Sequence, residues 1–448
     1  MKALPIILIF ALIASGCEGR SPEKTLERQI AKLQRQGRNG EGISLFESIG
    51  KDIEPTQRTL REVALCYFGE NRYAESLKYA KQAIAADPDD ATATDLFFYN
   101  SKVLQEFEQA EPVARRWVNN PKAKGTLRHI AIFYTKWGRY EEAIEATRLG
   151  ISRLPKDPRM AGTHSFLLAV VEGPESQHEF VEAWSSKNKP NAYFWENVGK
   201  GLAEADHHNE ALPYLLKALK LAPSGDVASQ YVSSLRGAGR SEEAVEWASD
   251  WSQKGEIDAA FLKMQGAVNF DVENFDEAAR CFKEALGLAP ADATLLVNFT
   301  VTLIELKRYE EAVDIAKGWL LKYERHADDR TYFYLADSLS WDRQYEEAIE
   351  HYATAIRMAP EKRRYVGNLF FAMNQLGQFQ EVLDYHKRWK QTSADYSDAH
   401  LEKQLTRARS HVAAASGGKA ETHTSPAERI LQKANSASKK PYSKTNNL

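Results

Sequence analysis

Residues 306–316 read LKRYEEAVDIA, and residues 342–352 read DRQYEEAIEHY. Both run a basic or amide residue, a tyrosine, two acids and an alanine in the same order. Shorter copies are NRYAES at 71–76, GRYEEA at 138–143 and ENFDEA at 273–278. The anchors are Tyr73, Tyr140, Phe275, Tyr309 and Tyr345, and Phe107, His208, Ser241 and Phe379 hold the same place in weaker copies. From Tyr73 onward the steps between anchors are 34, 33, 68, 33, 34, 34, 36 and 34 residues. The step of 68 is two periods, so it predicts a hidden copy centred near Pro174. A fixed period of this length marks a stacked-repeat architecture.

Each period contains two apolar stripes. Before the anchor, residues such as Trp195, Val198, Gly199 and Leu202 follow the i, i+3, i+4, i+7 spacing of one helix face. After it, Ala278, Phe282 and Ala285 do the same, and several second stripes stop at Pro88, Pro155, Pro223, Pro290 or Pro360. The order is helix, turn, helix, stop. It resembles the tetratricopeptide repeat family over most of Arg58 to Trp389. That resemblance implies an all-α, right-handed solenoid of about ten helix pairs, since one pair cannot bury its own stripe and neighbours must stack. Ala64, Ala131, Gly199, Gly266 and Ala336 are small where the first helix must approach the second. Residues 23–56 read as a degenerate repeat, 57–396 as the solenoid, 397–412 as a capping helix and 413–448 as a disordered basic tail. The step of 36 before Tyr345 predicts a longer loop around His326 to Asp329.

A slower rhythm lies over the first. Alternate second helices carry Trp117, Trp184, Trp251, Trp319 and Trp389 where the intervening ones carry Ala83, Gly150, Ala218, Ala285 and Ala355. The unit is therefore a doublet, repeated five times, with the tryptophans as core filler.

Chemistry is harder to find. Lys and Arg total 59 against 62 for Asp and Glu, a net charge of −3, which gives no general attraction to nucleic acid. There is no nucleophile elbow, phosphate loop or HExxH. Gly237 and Gly239 sit in a repeat turn with no strand before them. His207, His208 and Glu210 lack a further ligand at a useful spacing. The run Asp87, Pro88, Asp89, Asp90 reads as a helix stop followed by a cap. Cys66 and Cys281 lie about six repeats apart, too far for a disulfide, so both are expected to be buried thiols. No enzyme, metal site or cofactor is expected.

What remains is surface. In the resembled family the face lined by first helices holds an extended peptide or a partner helix. Helical projection places Lys263, Phe270, Val297, Asn298, Val301, Ile304, Arg330, Phe333, Asp337 and Trp341 there, with Arg58, Arg61, Phe68, Tyr99 and Arg128 towards the front. Lys263, Asn298 and Arg330 coincide with three of the five polar places of a carboxylate clamp known in chaperone-binding relatives. Ala267 and Tyr334 stand at the other two, so a mixed basic and apolar groove for an acidic, hydrophobic peptide is the better expectation.

The N-terminus adds an address. Lys2, the apolar run Ala3 to Ile13, the small residues Ala14, Ser15 and Gly16, and then Cys17 resemble a bacterial lipoprotein signal. That resemblance implies removal of residues 1–16, acylation of Cys17 and a short tether over 17–22. The mature chain would have 448 − 16 = 432 residues. It would sit on the envelope, most simply on the outer membrane facing the periplasm. The expected role is a non-catalytic scaffold in an envelope assembly or export apparatus, serving polysaccharide export, pilus assembly or outer-membrane protein insertion. An accessory subunit regulating a cell-wall synthase or hydrolase is the alternative.

Overall fold

The computed structural model describes residues 21–49, 53–121, 123–390 and 398–415. The expected signal, the acylation site Cys17 and the tail from residue 416 onward lie outside the described residues. Among the described residues there are 23 α-helices, one 3-10 turn and no strand, which makes the chain an all-α solenoid. They fall into two compact units, the first ending at Leu221 and the second beginning at Ala222.

The first unit holds six helix pairs: Pro22–Arg35 with Asn39–Ile49, Gln57–Gly69 with Tyr73–Ala86, Ala91–Val103 with Phe107–Val118, Thr126–Lys136 with Tyr140–Arg153, Pro158–Val171 with Pro174–Ser185, and Ala192–Glu204 with His208–Leu221. The second holds five: Gly225–Gly237 with Ser241–Lys254, Ala259–Asp271 with Phe275–Leu288, Ala293–Glu305 with Tyr309–Tyr323, Asp329–Trp341 with Tyr345–Met358, and Arg363–Gln375 with Phe379–Lys390. Helix Ala399–Ala415 closes it, capped by Asp398, and its Leu401, Leu405 and Ala408 are buried. Every sequence anchor is the first residue of a second helix, and Pro174 opens the hidden one.

The turns explain that regularity. Two residues before the anchor the backbone is left-handed: Asn71, Gln105, Asp206, Glu273, Lys307 and Arg343 all have φ between 57° and 66°, and Gly138, Gly239 and Gly377 join them. The next N–H then donates to a carbonyl five residues back, as from Arg72 to Tyr67, Arg139 to Tyr134 and Arg308 to Leu303, at 2.8–2.9 Å. This is a Schellman closure, which satisfies the end of the first helix and aims the chain back along it. The Pro174 pair differs because only Gly173 (φ 99°, ψ 171°) separates Glu172 from the second helix, in a conformation open to glycine alone. First helices start on side-chain caps: Asp90, Asp157, Asn191, Ser224, Asp258, Asp292 and Asp328 each accept an N–H from the first turn. The extra residues before Asp329 form the 3-10 turn Glu324–His326.

Packing within pairs is as tight as the small residues require. A Cβ on Gly199 would stand 2.7 Å from Leu215 Cγ, and one on Gly266 would stand 2.7 Å from the Phe282 ring. Cys66 and Cys281 are free and fully buried, and burial pushes both thiols up to about 12.

Three of the five tryptophans, Trp117, Trp184 and Trp319, are buried. Trp184 Nε1 donates to the Pro155 carbonyl at 2.9 Å, and Trp319 Nε1 donates to the Pro290 carbonyl at 2.7 Å. Each indole thus reaches back 29 residues to the proline ending the preceding second helix. Two of the five alternating tryptophans make this link; Trp117 is buried without it. Trp251 departs from the expected core role and is half-buried. It stacks on Trp247 (5.3 Å, 14°) and bonds the Glu256 carbonyl, because the chain after Gly255 folds back beneath its own helix. Trp389 is also half-buried.

One core group gives the first unit a pH dependence. His164 is buried, with Nδ1 2.8 Å from Thr147 Oγ1 and its ring edge-on to Phe180. Burial, helped by Arg148, lowers its pKa to about 4. Between pH 6.5 and about 4 the unfolded chain therefore binds more protons than the folded one, so stability falls as pH drops through that window. The loss is at most about 3 kcal/mol. Denaturant unfolding from pH 7 to pH 4.5 should show it. His164→Phe, which has nothing to titrate there, should show a shallower slope.

Candidate functional site

In the second unit, the first helices of successive pairs contact one another. Where three of them meet lies a site of about 520 Å³, lined by Val301, Ile304, Glu305, Lys307, Tyr309, Tyr334, Asp337, Trp341 and Arg364. Val301, Ile304 and Glu305 lie on the last turns of Ala293–Glu305. The left-handed residue Lys307 turns the chain so that Tyr309 opens the following helix at the rim. Trp341, the last residue of Asp329–Trp341, stacks on Tyr309 (5.9 Å, 14°) while staying 59% exposed. The result is a broad aromatic wall facing water, with aliphatic side chains beside it.

The charges at this site are ordered. Asp337 is buried, and its Oδ1 accepts from Tyr352 Oη at 2.5 Å and from Asn368 Nδ2 at 2.6 Å. Burial raises the Asp337 pKa against the opposing pull of those two donors. Tyr352 is pushed well above its ordinary value by burial and the adjacent carboxylate. Arg364 lies 3.9 Å from Asp337 Oδ2, with its guanidinium 5.1 Å from the centre of the Phe333 ring and its side chain 64% exposed. Tryptophan, tyrosine and arginine are the residue types enriched among those that dominate binding energy at protein interfaces.

Of the residues projected from sequence, Ile304, Asp337 and Trp341, together with Val301, meet at this site. Lys263 and Phe270, on Ala259–Asp271, do not line it, and Phe270 packs edge-on to Phe275 at 5.2 Å. Asn298 is half-buried on Ala293–Glu305 and also lies off the site. Arg330 is tied down, with Asp328 at 2.7 Å and Thr294 Oγ1 at 3.3 Å, so a clamp on that residue has a competitor already in place. Phe333 is a correction. It is 1% exposed, stacked on Tyr365 at 4.2 Å and packed against Tyr352, so it belongs to the core. Its cover comes from the next pair, which a projection of one helix cannot include.

Arg364 was missed by the projection, although it stands one period of 34 residues beyond Arg330. In the first unit, Arg61 is paired with Asp90 and Glu62, and Arg58 lies 3.4 Å from Glu27. His207 pairs with Glu210. Among the described residues no group of three or more His, Cys, Asp or Glu is placed to hold a metal ion, and no helix is long and apolar enough to cross a membrane.

Comparison with known proteins finds the same repeat in two stretches. Tetratricopeptide repeat models match residues 62–90 and 264–329. No curated protein matches the chain. Similar solved structures include a tetratricopeptide repeat protein from Parabacteroides merdae, at 11% identity and a TM-score of 0.41, covering 55% of this chain and 98% of that one. MamA from Desulfovibrio magneticus is 22% identical with a TM-score of 0.32, covering 42% and 96%. Yeast Tom70 is 12% identical with a TM-score of 0.38, covering 88% and 96%. The two matched stretches are tetratricopeptide repeats, and the same helix pairing and turn geometry recur through the described residues on either side of them.

Proposed function

We propose that this chain is a lipid-anchored scaffold of a bacterial cell envelope, and that the site around Trp341 and Arg364 holds an acidic, apolar segment of a partner protein. A tetratricopeptide repeat fold is a scaffold for protein–protein interaction. The observation that carries the finer reading is the juxtaposition of Trp341 on Tyr309, the aliphatic floor of Val301 and Ile304, and the exposed guanidinium of Arg364. An aromatic or aliphatic side chain fits against the wall while a carboxylate pairs with Arg364. The envelope address rests on the sequence around Cys17, and the expected setting is an assembly or export apparatus facing the periplasm.

A photo-crosslinker at Trp341 in intact cells would capture the partner, and its affinity for the purified chain can then be measured. Trp341→Ala and Arg364→Glu should each weaken binding by about 2 kcal/mol, roughly thirtyfold. Equal affinity of both variants and the unmodified chain would place the partner elsewhere. Labelled palmitate should enter the unmodified chain and not Cys17→Ser.

A further inference from the structure

One buried indole lacks the link that two others make. Trp184 and Trp319 each donate to the carbonyl of the proline 29 residues earlier, Pro155 and Pro290. The same offset from Trp117 falls on Pro88. Pro88 follows the end of Tyr73–Ala86 in the register that Pro155 keeps after Tyr140–Arg153 and Pro290 keeps after Phe275–Leu288. Yet Trp117, 1% exposed, has no acceptor for its Nε1–H. The Pro88 carbonyl is already taken, because Arg116 Nη2 donates to it.

The residue before each indole accounts for the difference. Ala183 precedes Trp184 and Gly318 precedes Trp319, and neither has a side chain that can donate a hydrogen bond. Arg116 precedes Trp117, is exposed, and carries a fork of donors on a long stem. Two demands on one carbonyl are therefore set against each other. A buried N–H without an acceptor is costly, which favours the indole. A bond from a charged donor is stronger than one from a neutral donor, which favours the guanidinium.

We propose that the Pro88 carbonyl is a shared acceptor, and that the joint between the pairs Gln57–Ala86 and Ala91–Val118 is a two-position latch. In one position Arg116 closes it from the surface, as seen here. In the other, Trp117 closes it from the core and Arg116 swings into water. A carboxylate in solvent that draws Arg116 away thereby acts on the packing of two helix pairs. Trp184 and Trp319 have no such rival, so their joints have a single closed form.

Indole N–H resonances of the full chain, labelled at tryptophan, test the proposal, with Trp117→Phe and Trp184→Phe assigning the two signals. In Arg116→Ala the Trp117 N–H should move downfield and exchange about fivefold more slowly, the worth of one ordinary hydrogen bond. Arg115→Ala removes a neighbouring exposed guanidinium, one paired with Glu111, and should leave that signal in place. The reciprocal change Ala183→Arg, at an exposed position, should move the Trp184 N–H upfield and speed its exchange by a similar factor. Unmoved signals from the remaining tryptophans show that each variant is folded. The latch is overturned if Arg116→Ala leaves the Trp117 N–H as it is in the unmodified chain, or if Arg115→Ala moves it equally. It is also overturned if Ala183→Arg leaves the Trp184 N–H unchanged.

Discussion

Trp184→Ala is expected to remove about 3–5 kcal/mol from the stability of the pair Pro158–Ser185, the range for deleting a large buried aromatic. The indole lies against Phe194 (4.8 Å, 21°), and its N–H holds the Pro155 carbonyl, so the change opens a cavity and frees a carbonyl together. Trp184→Phe separates the two effects. It keeps a ring against Phe194 and loses the hydrogen bond, for about 1–2 kcal/mol. Stacked repeats open locally before they unfold globally. The sensitive measurement is therefore hydrogen exchange of amides in Pro158–Val171 and Ala192–Glu204. Unchanged protection there in the alanine variant would mean that the tryptophan fills space without joining the repeats.

Asp337→Ala is expected to cost about 2–4 kcal/mol, since it strips the acceptor from the buried donor Tyr352 Oη and the half-buried donor Asn368 Nδ2. Asp337→Asn behaves differently. The folded carboxyl has a raised pKa, so above the unfolded value the folded state holds its proton more tightly than the unfolded chain does, and stability falls as pH rises through that window. The amide keeps one acceptor oxygen and never ionises, so that fall should vanish, and at pH 7 the variant should melt above the alanine variant. Thermal melts of the three chains at pH 4.5 and pH 7 check both statements. An asparagine variant with the unmodified pH slope would mean that another group causes it.

The repeat was open to reading because its period, its anchor and its stop are each set by local geometry. A left-handed turn residue, a residue opening the second helix and a proline behind it leave marks at fixed offsets whatever the neighbours do. The hidden pair at Pro174 was readable for the same reason, although its turn has shrunk to Gly173. The site was less readable because its members owe their exposure to adjoining pairs. Phe333 and Trp341 share one helix, yet Tyr365 covers the first and water meets the second. Trp251 also escaped prediction, since the carbonyl it bonds comes from its own trailing loop and not from an earlier proline.

Indole pins do not join every neighbouring pair in the second unit. Trp319 fastens the pair Ala293–Tyr323 to the proline of the pair before it, while the pair Asp329–Met358 has an alanine, Ala355, at the corresponding place. The cleft beneath Trp341 spans this unpinned joint. Polar side chains hold that joint instead, with Lys317 Nζ 2.7 Å from Glu347 Oε1 and Arg330 donating to Thr294 Oγ1 at 3.3 Å. Its cohesion should therefore weaken as salt is raised, while the indole-pinned joint is left unchanged.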